Sequence, residues 1–214
     1  MLFKDRSDAG RVLAGALSQY AGRADVLVLG LPRGGVPVAF EVARKLKLPL
    51  DVFIVRKLGT PWHKELAMGA IASGGVRVLN KDVIQGLQIP SWAIENVARE
   101  EELELQRRER AFRGTSAKID VQDKVAILID DGLATGASMR AAVRAVRALA
   151  PKKIVVAVPV ASRFICEQMA SEVDEAVCVE TPEPFEGVGQ WYQDFAQTTD
   201  DEVRQLLAAA MHAA

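Results

Sequence analysis

The feature that most constrains the fold of this chain is a repeated alternation of short, β-branched apolar runs with stretches of helical periodicity. The runs are Val26-Leu27-Val28-Leu29, Val52-Phe53-Ile54-Val55, Val125-Ala126-Ile127-Leu128-Ile129, Ile154-Val155-Val156-Ala157-Val158 and Ala176-Val177-Cys178-Val179. Each is too short for a buried helix and too uniformly apolar for a strand with one wet face. Helices are expected from about Val36 to Lys47, Ala137 to Leu149 and Arg163 to Met169, after an opening helix capped by Ser7 or Asp8 that runs to about Ala21. This order predicts an α/β fold: a mostly parallel central sheet flanked by helices on both faces.

Three segments depart from the alternation. Leu66 to Ile71 and Val76 to Leu79 flank Ser73-Gly74-Gly75, which predicts a small hairpin standing beside the sheet as a hood. Ser91 to Phe112 is a long polar helical pattern rich in Glu and Arg, expected as an exposed helix or a partner surface. Asp200 to His212 reads as a short closing helix. No repeat or low-complexity linker divides the chain, so residues 1–214 are expected to form a single domain.

Charge and composition narrow the partners. The 27 basic and 28 acidic residues leave a net charge of −1, which gives no global attraction for nucleic acid. The one dense basic cluster, Arg107, Arg108, Arg110 and Arg113, is interleaved with acids and reads as a solvated helix face. The longest apolar run, Ile154 to Ala161, is far below membrane-spanning length, and acids occupy Met1 to Asp8 where a signal peptide would be apolar. A cytoplasmic protein with no membrane or nucleic-acid partner is expected. Cys166 and Cys178 form no Cys-x-x-Cys pair and have no histidine at metal spacing, so both are expected as buried apolar residues in a reducing compartment.

The sharpest chemical feature is the strand ending at Ile129, which runs into Asp130 and Asp131 and then a Gly/Thr/Ser-rich turn before a helix. Ligands of open α/β sheets bind beyond the carboxyl ends of the strands, where this turn must lie. The amides of Ala134, Thr135, Gly136 and Ala137, at the mouth of the helix, suit a phosphate monoester, with hydroxyls from Thr135 and Ser138. Two carboxylates repel a phosphate but suit hydroxyls one sugar ring away, so the pair and the loop together fit a ribose 5-phosphate. No Gly-x-x-x-x-Gly-Lys-Ser/Thr or Gly-x-Gly-x-x-Gly occurs, and the adjacent acids are not the Asp-x-Asp of an aspartyl-phosphate enzyme.

Segment Ile129 to Ser138 resembles the signature with which type I phosphoribosyltransferases bind 5-phosphoribosyl 1-pyrophosphate (PRPP), closest to a bacterial group with an Arg-Gly-Gly first loop and uncertain acceptor. The resemblance implies a transferase that displaces pyrophosphate from C1 of PRPP, assisted by Mg²⁺ and with Asp130 and Asp131 orienting the ribose. It implies a pyrophosphate-binding role for Arg33, Gly34 and Gly35 in the turn after the first strand. Arg56 and Lys57, adjacent cations at the end of the second strand, would complete a clamp around the leaving group.

By the same resemblance the residues after this strand, Leu58 to Glu65 within a flexible segment of about 58–75, look like a lid. His63 there is a general acid, a phosphate contact or an idle loop residue. The stretch 181–195 corresponds to the acceptor side. Phe185 and Trp191 are either stacking groups or core packing, and Asp194 is a carboxylate that can help hold a metal. The acceptor is left open between purine, pyrimidine and other nucleophiles, and so is the oligomeric state, the resemblance allowing a homodimer. A PRPP-sensing regulator without turnover stands as the alternative.

Overall fold

The computed structural model describes residues 1–63, 66–113 and 120–213, with residues 212 and 213 described through their backbone alone. Seven α-helices and eight strands are present among the described residues. Five strands make a parallel sheet in the order β2-β1-β6-β7-β8. They are β1 (Val26–Gly30), β2 (Leu50–Val52), β6 (Val125–Ile129), β7 (Lys153–Val160) and β8 (Glu175–Glu180). The three central strands, β1, β6 and β7, are buried almost throughout, as an apolar sheet covered on both faces requires.

Helices α1 (Arg6–Ala16) and α2 (Gly35–Leu46) close one face, packing Leu13, Leu17, Val38 and Val42 onto Val26, Val28, Ile127 and Val155. Helices α5 (Ala137–Arg147) and α6 (Arg163–Glu172) close the other, where Met139, Val143 and Met169 meet Leu27, Leu128 and Val156. The strand period of two sends alternate residues to opposite faces, so each strand feeds both cores.

A separate antiparallel sheet holds β3 (Val55–Gly59), β4 (Ala67–Ala72) and β5 (Val76–Leu79), in that order. Its second hairpin is the expected one, with Gly74 and Gly75 turning at φ +86° and +78°. The second strand differs from expectation: Val52 to Val55 is not one strand but a crossing between two sheets. The Phe53 amide donates to Gly30 O at 3.0 Å, the last rung of the large sheet, while the Ile54 amide donates to Ser73 Oγ at 3.1 Å in the small one. Both side chains are buried, Phe53 in the central core and Ile54 in the core under the small sheet, which is why the run is uniformly apolar.

Further points depart from the sequence reading. The opening helix is capped by Asp5, whose carboxylate accepts from the Asp8 amide at 2.7 Å, and it ends at Ala16 before a 3₁₀ turn, Ser18–Tyr20. A short helix, α3 (Lys81–Gly86), follows β5, with Asn80 as its cap. The polar helix α4 (Ser91–Arg113) is only partly a solvated face: Ala93, Ile94, Ala98, Leu105 and Phe112 are buried under the small sheet and the closing helix α7 (Asp200–Ala213). Arg113, from the basic cluster, is just 8% exposed and pairs with Asp51 at 2.8 Å.

Cys166 and Cys178 are joined by a disulfide between α6 and β8, with Cα atoms 6.4 Å apart, so the reading of two separate buried thiols is overturned. They meet because α6 folds back onto β8, placing a residue of its inner face over the strand, a proximity that linear spacing does not carry. Among the described residues no helix is long and apolar enough to cross a membrane.

Candidate functional site

The two central strands β1 and β6 run parallel in register, Gly30 opposite Ile129. From β1 the chain passes through α2 to one side of the sheet, and from β6 through α5 to the other. The loops after β1 and β6 therefore diverge at a topological switch point, leaving a crevice beyond the strand ends. Into that crevice go Arg33-Gly34-Gly35 from one strand and Asp130 to Gly136 from the other.

The two loops are in van der Waals contact. The Leu31 amide donates to Ile129 O at 2.9 Å, and the Pro32–Arg33 peptide is cis. A Cβ on Gly34 would lie 2.1 Å from Asp131 Oδ2, and one on Gly35 would lie 2.5 Å from Ile129 O. Both positions thus exclude any side chain, and the backbone of the Arg-Gly-Gly turn lies directly against the acidic pair.

Asp130 Oδ1 accepts from the Asp131 amide at 2.9 Å, and Asp131 Oδ2 accepts from Arg6 Nε at 2.8 Å. Arg6 is itself fixed: Nη1 donates to Ala196 O at 2.7 Å and the guanidinium stacks 3.9 Å over the Phe195 ring. Tyr192 Oη donates to Asp131 O at 2.6 Å. Burial, reinforced by the neighbouring Asp131 charge, pushes the Asp130 carboxyl well above its usual range. Asp131 is also raised by burial, against the opposing pull of Arg6. Two acids held near each other with one cation between them are short of positive charge.

The next turn is built for close approach from outside. Gly136 turns at φ +71° and leads into α5, whose first residues have no side-chain cap. The Thr135 hydroxyl lies 3.4 Å from the Ala137 amide, and Ala134, Thr135, Ala137 and Ser138 are exposed. Arg140 holds the loop from behind, donating to Thr135 O at 2.9 Å, to Gln168 at 2.7 Å and to Glu172 at 2.7 Å. The result is a row of helix-start amides open to an anion.

The remaining candidates are distributed unevenly. Arg56 and Lys57 are neighbours on β3 and so point to opposite faces. Lys57 lines a cavity with Ala137 and Ser138, whereas Arg56 turns to α4, where its Nη2 is 2.5 Å from Glu101. Arg33 Nη1 is 3.5 Å from Asp200 at the start of α7. His63 is exposed, its backbone tied to the Thr60 hydroxyl, and the lid residues Lys64 and Glu65 lie outside the described residues. Phe185 and Trp191 pack against Phe3, Val160 and Tyr192, and the indole N–H of Trp191 is buried with no partner among the described residues. Asp194 is exposed, its carboxylate accepting from the Ala196 amide at 3.0 Å.

Arg6, Tyr192, Phe195, Glu101 and Asp200 were not legible as site residues. Arg6 and Tyr192 reach Asp131, Phe195 reaches Arg6, Asp200 reaches Arg33 and Glu101 reaches Arg56, each from a distant part of the chain, and of these only Tyr192 and Phe195 lie in a stretch singled out above for the site, 181–195.

Residues 57–189 match the Phosphoribosyl transferase domain family. The chain belongs to the type I phosphoribosyltransferase family. It is 51% identical over 209 residues to a Mycobacterium tuberculosis protein provisionally named phosphoribosyl transferase, covering 98% of this chain but 47% of that one. This phosphoribosyltransferase chain thus spans about half the length of the curated relatives it matches. It is 30% identical over 128 residues to the bifunctional protein PyrR of Alkaliphilus metalliredigens, 59% of this chain and 64% of the relative. Its fold matches the crystal structure of TT1426 from Thermus thermophilus with a TM-score of 0.88 and 41% identity, over 98% of this chain and 99% of that one.

Proposed function

We propose that this member of the family binds PRPP with Mg²⁺ and transfers its 5-phosphoribosyl group to a nucleophilic acceptor, releasing pyrophosphate. The observation that carries the reading is the contact between the two loops: Gly34, whose Cβ would strike Asp131 Oδ2 at 2.1 Å, brings a pyrophosphate-type turn against a ribose-type acid pair. The open helix start at Ala134 to Ser138 lies one turn further on, where a 5-phosphate would sit.

In the reaction the bond from C1 to the pyrophosphate oxygen breaks, its electron pair leaving with pyrophosphate. A lone pair of the acceptor forms the new bond, and the acceptor's proton passes to solvent or to the departing pyrophosphate. Asp130 and Asp131 hold the ribose hydroxyls and face the positive charge that develops at the ring. That charge is one the buried pair lacks, so its electrostatic relief is greatest in the transition state; a single fixed group of this kind is worth about 2–4 kcal/mol. The backbone of Arg33 to Gly35 meets the pyrophosphate, with Arg33 able to exchange Asp200 for a phosphate oxygen and Lys57 approaching from the small sheet.

Among the described residues no group of three or more metal-ligating side chains is present. The hard oxygens of Asp130 and Asp131 nonetheless suit Mg²⁺, an ion that takes few protein ligands and prefers phosphate oxygens and water. When bound, Mg²⁺ neutralises charge on the pyrophosphate. Phe185 and Trp191 form the proposed acceptor side, with Asp194 as a nearby carboxylate for metal or water.

Calorimetric titration of PRPP with Mg²⁺ into wild-type protein and an Asp130→Asn/Asp131→Asn variant tests the site. Binding to wild type that disappears in the variant supports it, and no binding to wild type overturns it. Pyrophosphate release across a panel of acceptors then tests turnover. Tight PRPP binding with no release from any acceptor would move the assignment to a PRPP-sensing regulator.

A further inference from the structure

We propose that the cavity between the small sheet and α5 is a second ligand site, suited to a nucleoside diphosphate. Its volume is about 740 Å³, within the range of small-molecule sites. Along α5 it runs from Ala137 and Ser138 to Arg144, so it extends about 10 Å beyond the phosphate loop. Asp130, Asp131 and Arg33 to Gly35 do not line it. A ligand filling its length is therefore not PRPP in the pose proposed above. The site shares Lys57, Ala137 and Ser138 with that reading but does not rest on it.

Two properties of the walls choose the ligand class. The floor is apolar and comes from both sides, Val55, Ala70 and Val78 from the strands and Ala141 from the helix, which forms a slot where a flat ring buries both faces. The rim is basic: Lys81 at the start of α3 and Arg144 on the facing helix line the same cavity, and neither side chain makes an ion pair among the described residues. Arg140, also on the wall, is already engaged by Glu172, Gln168 and Thr135 and adds no free charge. Against the one carboxylate of Asp82 beside Lys81, these two cations leave the rim net positive and on opposite walls, which calls for an anion long enough to span them, as a diphosphate does better than a single phosphate. Asp82, beside Lys81, is free to accept hydrogen bonds from the N–H edge of a base.

The test is calorimetric titration of the whole chain with GDP, with ADP and with inorganic phosphate. Three proteins are compared: wild type, Lys81→Glu/Arg144→Glu and Asp130→Asn/Asp131→Asn. At least one diphosphate is expected to bind wild type and the aspartate variant alike, and to bind the charge-reversed protein more weakly by about tenfold or more. Hydrogen exchange with the diphosphate present should slow at residues 78–82 and 137–144. Should the charge-reversed protein fail to fold, Lys81→Ala and Arg144→Ala singly give the same reading with smaller shifts. The proposal falls if neither diphosphate binds wild type, or if inorganic phosphate binds as tightly as either. It falls too if binding survives charge reversal and vanishes in the aspartate variant, which would put the nucleotide in the PRPP site. PRPP binding is measured separately in each protein, so its failure bears on the proposed function alone.

Discussion

Arg6, the first residue of α1, donates through Nε to Oδ2 of Asp131 at 2.8 Å, joining two residues 125 positions apart. Their side chains are 12% and 15% exposed, so the pair is shielded from water on most sides. It binds the amino-terminal helix to the loop that carries the proposed ribose acids, and the Phe195 ring stacked on Arg6 brings in the carboxyl-terminal segment.

Replacing Arg6 with Ala leaves the Asp131 carboxylate buried without its counter-charge and removes the donor to Ala196 O. The expected loss of stability is about 2–3 kcal/mol at neutral pH, toward the lower end for a broken buried pair because both groups retain some solvent contact. Urea denaturation of the two proteins measures it. A change within error of zero would show the pair to be energetically idle.

Asp130→Asn should stabilise the protein while abolishing PRPP binding. Burial raises the Asp130 carboxyl above its unfolded value, so the native state prefers the protonated acid. Its contribution is therefore fully present below the ordinary carboxylate pKa of about 4 and is lost as pH rises through the raised native value. Asn keeps the acceptor for the Asp131 amide and does not ionise. The Tm advantage of the variant should be small in mild acid and grow toward neutral pH; an advantage that shrinks along that series would contradict the assigned direction.

Gly35→Ala tests the contact between the loops. The added methyl would lie 2.5 Å from Ile129 O and 2.8 Å from Asp130 Cα, both backbone atoms of a buried strand end. Neither can swing aside, so a loss of about 1–3 kcal/mol is expected, together with weaker PRPP binding at a temperature where the variant is folded. Gly15→Ala, with nothing within 4 Å of the added methyl, serves as the control and should be neutral or slightly stabilising.

Glu101→Gln should strengthen pyrophosphate binding. Arg56 is held against Glu101 at 2.5 Å, both about a quarter exposed, and must leave that partner to reach a leaving group on the other face of the sheet. Such a half-solvated pair is worth up to about 1 kcal/mol, so affinity should rise by no more than about fivefold. Direct titration with pyrophosphate measures it. No change would mean that Arg56 stays on α4 and belongs to the small sheet's packing.

Much of the architecture follows from residues close in sequence. Val125 to Ile129 is a buried parallel strand because five consecutive apolar side chains have no wet face to offer, and the strand bounds fall where the apolar run meets Lys124 and Asp130. The proposed phosphate loop follows from the same local logic, since Gly136 supplies the left-handed turn and the start of α5 supplies the amides. What a linear pattern does not contain is which faces meet. Phe53 and Ile54 look like the middle of one strand, yet each is buried in a different core because the chain crosses there between sheets. Arg56 and Lys57 look like one clamp, yet the strand's period of two divides them between α4 and α5. Cys166 and Cys178 look unrelated until α6 folds back onto β8. Local periodicity and turn chemistry determined the strands, the helices and the loop proposed to receive phosphate. The counter-charges from Arg6, Glu101 and Asp200, and the cavity along α5, were decided by tertiary contact alone, because electrostatic pairing depends on distance in space and the chain carries no local record of it.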